Sequence, residues 1–140
     1  MEVDVEKLKR DWTGFTFDTA EFEVNASDLV SFASACGETG KRYTDPADPD
    51  FQAVPNYTSR YVGRRILPDS FPRLGSGYGF DAGKCVTPIA PIRPGDKVVA
   101  KSQIHDIYTK TGRSGTMLFI VHRMEFSNQR GEPVSVVDWR

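Results

Sequence analysis

The 140-residue sequence predicts one α+β domain, a helix packed on an antiparallel sheet. Apolar residues recur at helical spacing in the first half and alternate in strand fashion in the last third. Gly- and Pro-rich stretches lie between the two, with no linker, repeat or low-complexity tract to mark a second domain.

Residues 2–12 place Val5, Leu8 and Trp12 on one stripe, a short helix that Gly14 ends. Phe15, Phe17, Phe22 and Val24 then suggest an extended segment. Residues 27–36 carry Leu29, Phe32, Ala33 and Cys36 at i, i+3, i+4 and i+7, the pattern of an amphipathic helix. Asn25 or Ser27 suits the N-cap, and Gly37 the C′ position. A Pro-rich loop follows, with Asp45-Pro46, Asp48-Pro49 and Val54-Pro55. Residues 56–67 read as a second helix through Tyr57, Tyr61, Val62 and Ile66, and Pro68 ends it. Gly75, Gly77, Gly79 and Gly83 keep residues 68–84 irregular. Residues 98–108 and 116–126 alternate as strands, separated by a turn over residues 109–115. Residues 93–96 and 128–131 form further turns, and Val134, Val136 and Val137 continue the sheet.

Composition narrows the function classes. Hydrophobic residues are 39% and charged residues 26%, which excludes a disordered chain. A net charge of −1 argues against binding nucleic acid by bulk electrostatics. The longest apolar run, Met117 to Val121, is too short to span a bilayer. The first ten residues are charged and lack the apolar core of a signal peptide. Cys36 and Cys85 stand alone, with neither metal-ligand spacing nor a disulfide framework. The expectation is a cytoplasmic protein with reduced thiols, no metal and no cofactor.

Two stretches together resemble one family. Phe32-Ala33-Ser34-Ala35-Cys36-Gly37-Glu38-Thr39-Gly40-Lys41-Arg42-Tyr43-Thr44-Asp45 is similar to the hydratase motif F-A-x-x-x-G-D-x-N-P-x-H-x-D of MaoC-like hot-dog proteins. Pro91-Ile92-Arg93-Pro94-Gly95-Asp96 resembles the turn that precedes the long strands of the same family. Residues 81–84 and 110–115 look like its FAS1-like, N-terminal dehydratase branch. The resemblance implies a single hot-dog domain over residues 1–140, with residues 1–13 as an N-terminal helical extension. In that fold a curved antiparallel sheet wraps a central helix, here placed at residues 56–67, although Arg60, Arg64 and Arg65 depart from the family's apolar helix. The implied activity is reversible hydration of a 2-enoyl thioester of CoA or acyl carrier protein.

Hydration needs a base for the attacking water, an acid for the α-carbon, and N–H donors for the charge on the thioester oxygen. The family's motif supplies an Asp and a His. Here Glu38 stands at the Asp position and Tyr43 at the His position, while Gly40 and Lys41 replace Asn-Pro. Tyrosine, with an ordinary pKa near ~10, is a poor base at neutral pH. Glu38 and Tyr43 are therefore either structural relics or an altered catalytic pair. In some two-subunit dehydratases resembling this branch, of mycobacterial fatty-acid and actinobacterial steroid side-chain metabolism, one hot-dog completes the catalytic site and another shapes the acyl tunnel. The resemblance implies that this chain is the non-catalytic half of a heterodimer or heterotetramer. A self-sufficient homodimeric hydratase using Glu38 and a non-enzymatic acyl-CoA module are the alternatives.

Arg60, Arg64, Arg65 and Arg73 concentrate positive charge, either as a landing site for CoA phosphates or as a solvated face. Lys84 follows the branch-like Asp81-Ala82-Gly83 and joins Arg60 and Arg64 as a candidate CoA contact. Lys110 and Arg113 flank Gly112, where a phosphate could meet charges and backbone N–H groups, or which is a plain hairpin tip. His122 shares a strand face with Leu118, Ile120, Met124 and Phe126, so it reads as a packed histidine; neither it nor His105 lies in the motif. Gly75-Ser76-Gly77-Tyr78-Gly79 follows no strand and is rejected as a nucleotide loop.

Overall fold

Helix α1 (Val5–Trp12) begins where the Asp4 side chain accepts the Lys7 N–H at 3.0 Å, an N-cap that satisfies one of the helix's orphan donors. The computed structural model describes residues 3–75 and 77–140, so the expected helix start at Glu2 and Ser76 of the Gly-rich run lie outside the described residues. Strand β1 (Thr16–Glu23) follows. Helix α2 (Ala26–Ala35) starts at Asn25, whose Oδ1 accepts the Asp28 N–H at 2.9 Å. It ends at Gly37, φ +75°, where Gly37 N–H donates to Ser34 C=O and Glu38 N–H to Ala33 C=O. That bond pair and positive φ define a Schellman stop, which favours glycine. The short helix α3 (Lys41–Thr44) then interrupts the Pro-rich loop.

The remaining strands are β2 (Lys84–Pro88), β3 (Lys97–Gly112), β4 (Gly115–Ser127) and β5 (Pro133–Trp139). All pairs are antiparallel, in the spatial order β1-β3-β4-β5-β2. The expected α+β arrangement is therefore present. Strands β3 and β4 run longer than their alternation suggests. Gly112 pairs with Gly115, so the turn expected over residues 109–115 shrinks to Arg113 and Ser114. Thr109 and Thr111 are β-branched and extend the ladder rather than breaking it. Edge strand β2 carries no alternation signal of its own and forms by pairing with β5.

The helix expected over residues 56–67 is not formed. Only a 3₁₀ turn, Tyr57–Arg60, is helical, and Tyr61 already has extended dihedrals (φ −82°, ψ 138°). The reason lies across the sheet. The Asp18 carboxylate accepts backbone N–H bonds from Arg64 at 2.8 Å and Arg65 at 3.3 Å. Those donors are thereby lost to any helix ladder. Gly63, a weak helix former, passes so close to Asp18 that an added Cβ would lie 2.8 Å from Oδ2. Residues 61–67 thus form an extended strap rather than a helix.

Strand pairing and alternation put Asp18, Ala20 and Phe22 of β1 on the same sheet face as Val98, Ala100, Ser102 and Ile104 of β3. His122, Met124 and Phe126 of β4 share that inner face, as do Val137 and Trp139 of β5 with Val86 and Lys84 of β2. Helix α2 and residues 51–57 cover one end, burying Leu29, Ala33, Phe51 and Tyr57 against Val98, Ala100 and Phe126. Helix α1 and residues 67–74 cover the other, around Leu8, Ile104 and Ile107. No helix among the described residues is long and apolar enough to cross a membrane.

Candidate functional site

The motif loop is built on the Schellman stop of α2. Directly after it, Glu38 Oε1 accepts N–H bonds from Thr39 and Gly40, both at 3.2 Å. The carboxylate is thus turned onto its own loop. Gly40 lies between the two degenerate positions: a Cβ built there would be 3.3 Å from Glu38 Oε1 and 3.8 Å from Tyr43 Cδ2. The structure therefore brings Glu38 and Tyr43 to one loop, as the motif requires. The Tyr43 ring packs partly against the α2 end of the core. Asp45 Oδ1 accepts the Ala47 N–H at 2.9 Å, which shapes the turn into Pro46. Tyr43 brings no imidazole to this loop, and the Glu38 carboxylate is already engaged.

A second polar group lies between the two apolar halves of the inner face. Asp18 is 5% exposed, Ser102 1% and His122 3%. Asp18 pairs with Ser102 across β1 and β3. His122 pairs with Ile104 on one side and Trp139 on the other, and Trp139 with Lys84. Asp18 is committed to the strap. Lys84 is too, its Nζ donating to Ser59 C=O at 2.8 Å and Tyr61 C=O at 3.2 Å while lying 4.7 Å from the centre of the Trp139 ring. Burial pulls the Lys84 pKa down, against the pull of Asp81. The His122 imidazole sits 5.7 Å from the Phe17 ring and 6.3 Å from that of Trp139, centre to centre. Burial and then the Lys84 charge push its pKa below the ordinary value, with Asp18 opposing, so the ring is held neutral. Neither ring nitrogen, nor Ser102 Oγ, has a hydrogen-bond partner among the described residues. Sequence reasoning placed His122 in the packed interior but singled out neither Asp18 nor Ser102. Polar residues on the same face of three neighbouring strands were the available signal.

The family model for the FAS1-like, dehydratase domain region matches residues 11–137. The chain belongs to this family. The solved structures it resembles show the fold. The MaoC-like dehydratase from Rhodospirillum rubrum is 24% identical over 99% of this chain and 94% of that one, with a TM-score of 0.61. A chain of the ChsH1-ChsH2 complex from Mycobacterium tuberculosis is 16% identical over 97% and 86%, TM-score 0.65. A chain of the HadBC (3R-hydroxyacyl-ACP dehydratase) complex of the same organism is 17% identical over 91% and 90%, TM-score 0.59. The FAS1-like dehydratase chain therefore has the hot-dog fold. No curated protein sequence matches it.

Within this FAS1-like dehydratase domain the five basic candidates fall into two places. Arg60 donates to the Tyr57 hydroxyl at 3.1 Å, lies 5.7 Å from the centre of the Tyr61 ring, and reaches Asp28 at 3.9 Å. Arg64 donates to Thr19 C=O at 3.0 Å and lies 3.5 Å from Asp18 Oδ1. With Lys84, these residues hold the strap. Lys110 and Arg113 lie at the far end of the β3–β4 hairpin. The stretch from Ile104 to Gly112 spans roughly 27 Å of strand. There Lys110 Nζ lies 5.7 and 5.4 Å from the centres of the Tyr108 and Phe119 rings, which stack at 5.1 Å. The two basic groups do not form one site.

Proposed function

We propose that this domain is the substrate-shaping half of a hetero-oligomeric enoyl-thioester hydratase or 3-hydroxyacyl dehydratase, and that a second MaoC-like hot-dog brings the acid–base pair. The observation that carries the proposal is the motif loop itself. Its carboxylate is bound to two N–H groups of its own backbone, and its histidine position is Tyr43. The scaffold around that loop is intact, but the proton-moving pair is missing. A strap also lies across the inner face where a central helix was expected. A strap fills less volume than a helix of about 10 Å diameter, which suits a subunit that houses an acyl chain. The HadBC dehydratase and ChsH1-ChsH2 are complexes, which supports a paired assembly.

In the paired enzyme the partner's Asp and His take a proton from the attacking water and return one to the α-carbon. This chain's part is to hold the acyl group so that the β-carbon meets that water. A misplacement of about 1 Å costs on the order of 100-fold in rate, so positioning alone is a large contribution. Lys110 and Arg113 are better placed than Arg60, Arg64 or Lys84 to meet the phosphates of CoA or carrier-protein phosphopantetheine. They stand at an exposed hairpin tip, whereas Arg60 is bonded to Tyr57, Arg64 to Thr19 and Lys84 to Ser59 and Tyr61.

The test is hydration of a 2-enoyl-CoA by the purified chain, alone and co-purified with a MaoC-like partner carrying an intact Asp and His. Negligible turnover alone and robust turnover in the pair are expected. Robust turnover by the isolated chain that Glu38→Ala abolishes defeats the proposal in favour of a homodimeric hydratase. Thioester binding without turnover in any pairing points instead to a binding module.

A further inference from the structure

The polar belt of the inner face has capacity that neither the fold nor the motif loop uses. Its charged members are spent: Asp18 on the strap N–H groups, and Lys84 on the carbonyls of Ser59 and Tyr61. What is left over is uncharged. Ser102 Oγ and both His122 ring nitrogens are buried and meet no hydrogen-bonding group of the described residues. Each buried polar group left unpaired has given up its water without a replacement partner, at a cost to the fold. Three on one face are therefore a poor choice for packing alone.

Ser102 and His122 are also close neighbours on the inner face. Ser102 lies opposite Met124 and Ile104 opposite His122, so Ser102 and His122 are diagonal neighbours on β3 and β4. Such neighbours have Cβ atoms roughly 7 Å apart, a span that one oxygen atom between the two side chains can bridge. A neutral imidazole offers one N–H donor and one acceptor, and the serine offers a hydroxyl. Around them stand Phe17, Ile104, Met124 and Trp139. Beside the strap, an open cleft of about 350 Å³ runs between Val62–Arg64 and residues 19–22 of β1. It leads toward Gly63, whose added Cβ would be 3.3 Å from Ser102 Oγ.

We propose that Ser102 and His122 form a polar subsite of the acyl chamber that selects chains bearing an uncharged oxygen, a hydroxyl or a ketone, remote from the thioester. The inference rests on the acyl-thioester reading above and names its substrate class. An anion is disfavoured by Asp18 and a cation by Lys84, while a purely apolar chain leaves all three polar atoms unpaired.

The experiment compares decanoyl-CoA, 9-hydroxydecanoyl-CoA and 9-oxodecanoyl-CoA binding to the full chain by calorimetry. In parallel, the His122 ring nitrogens are followed by NMR as 2-decanol, which has no thioester, is added. The oxygenated thioesters are expected to bind about tenfold more tightly than decanoyl-CoA, the equivalent of one or two well-made hydrogen bonds. The preference should vanish in the Ser102→Ala, His122→Phe double variant, with decanoyl-CoA affinity retained. Equal affinity for the three thioesters, or a preference that survives in the double variant, overturns the subsite and leaves the thioester reading standing. Binding of 2-decanol at His122 while none of the three thioesters binds overturns the thioester reading and leaves the subsite. Silence in both arms overturns both.

Discussion

Replacing Asp18 isolates what holds the strap down. Its side chain is 2% exposed and lies 3.5 Å from the Nε of Arg64, a side chain that is 75% exposed. The same carboxylate accepts the Arg64 N–H at 2.8 Å and the Arg65 N–H at 3.3 Å. Hydrogen bonds to a charged group contribute about 1.5–3 kcal/mol each, and the longer of these two lies at the weak end. An ion pair to so exposed a guanidinium contributes less than about 1 kcal/mol. Asp18→Ala should therefore cost about 3 kcal/mol, almost all of it from the backbone clasp. For a chain of this length that lowers Tm by roughly 10 °C. Asp18→Asn keeps one acceptor oxygen and should cost about half as much, while Arg64→Met should lower Tm by less than about 3 °C. Thermal unfolding measures all three. Limited digestion with trypsin adds a local readout, since release of the strap presents Arg64 and Arg65 to the protease. If Arg64→Met costs as much as Asp18→Ala, the ion pair holds the strap and the reasoning fails. If Asp18→Ala leaves both Tm and the tryptic pattern unchanged, the clasp carries no energy.

Gly63→Ala places a methyl group 2.8 Å from Asp18 Oδ2 and 3.3 Å from Ser102 Oγ. It should destabilise by about 1–3 kcal/mol in urea unfolding and open the strap to trypsin as Asp18→Ala does. His122 titrates below its ordinary 6.5 because burial and Lys84 disfavour its charged form. The unfolded chain therefore binds that proton more readily, and the stabilisation is complete above pH 6.5 and lost as pH falls toward the depressed folded value. Stability of the wild type should fall more steeply between about pH 7 and 5 than that of His122→Phe, and parallel curves count against a buried neutral ring. In the paired enzyme, Glu38→Ala should leave the steady-state hydration kinetics within about threefold of wild type, because the carboxylate serves its own loop; a turnover rate that falls by about two orders of magnitude or more would give Glu38 a catalytic role.

The legible parts of the fold were those where local pattern and tertiary context agree. Asn25 and Gly37 fixed both ends of α2, because a side-chain cap and a positive-φ stop are local chemistry. The alternation of β3 and β4 was plain because one face of each is buried. Residues 56–67 misled because Tyr57, Tyr61, Val62 and Ile66 fall at helical spacing, yet Val62 and Ile66 are 47% and 48% exposed. The decisive partner, Asp18, lies 46 residues from Arg64 in sequence, beyond the reach of any periodicity window. Strand β2 was missed for the same reason, since its pairing with β5 is what makes it a strand. In the motif loop, residue types alone located Glu38 and Tyr43. They could not show that the carboxylate folds back onto Thr39 and Gly40.

The strap and the motif loop bear on the same question from two sides. A hot-dog that wraps an apolar helix buries its inner face against that helix and has little reason to keep polar groups there. Here the covering element is extended backbone, whose N–H and C=O groups need partners when buried. Asp18 and Lys84 answer that need from opposite edges of the sheet, at β1 and β2. Once they do, the inner face can open only by breaking polar bonds. Such bonds exchange readily with water, unlike the packing of a helix core. Ser102 and His122 lie between those two anchors on the central strands, where no strap group among the described residues hydrogen-bonds to them. The chain thus carries Glu38 and Tyr43 at its two motif positions and a polar strap in place of the expected helix. That combination is what supports the proposed substrate-shaping role.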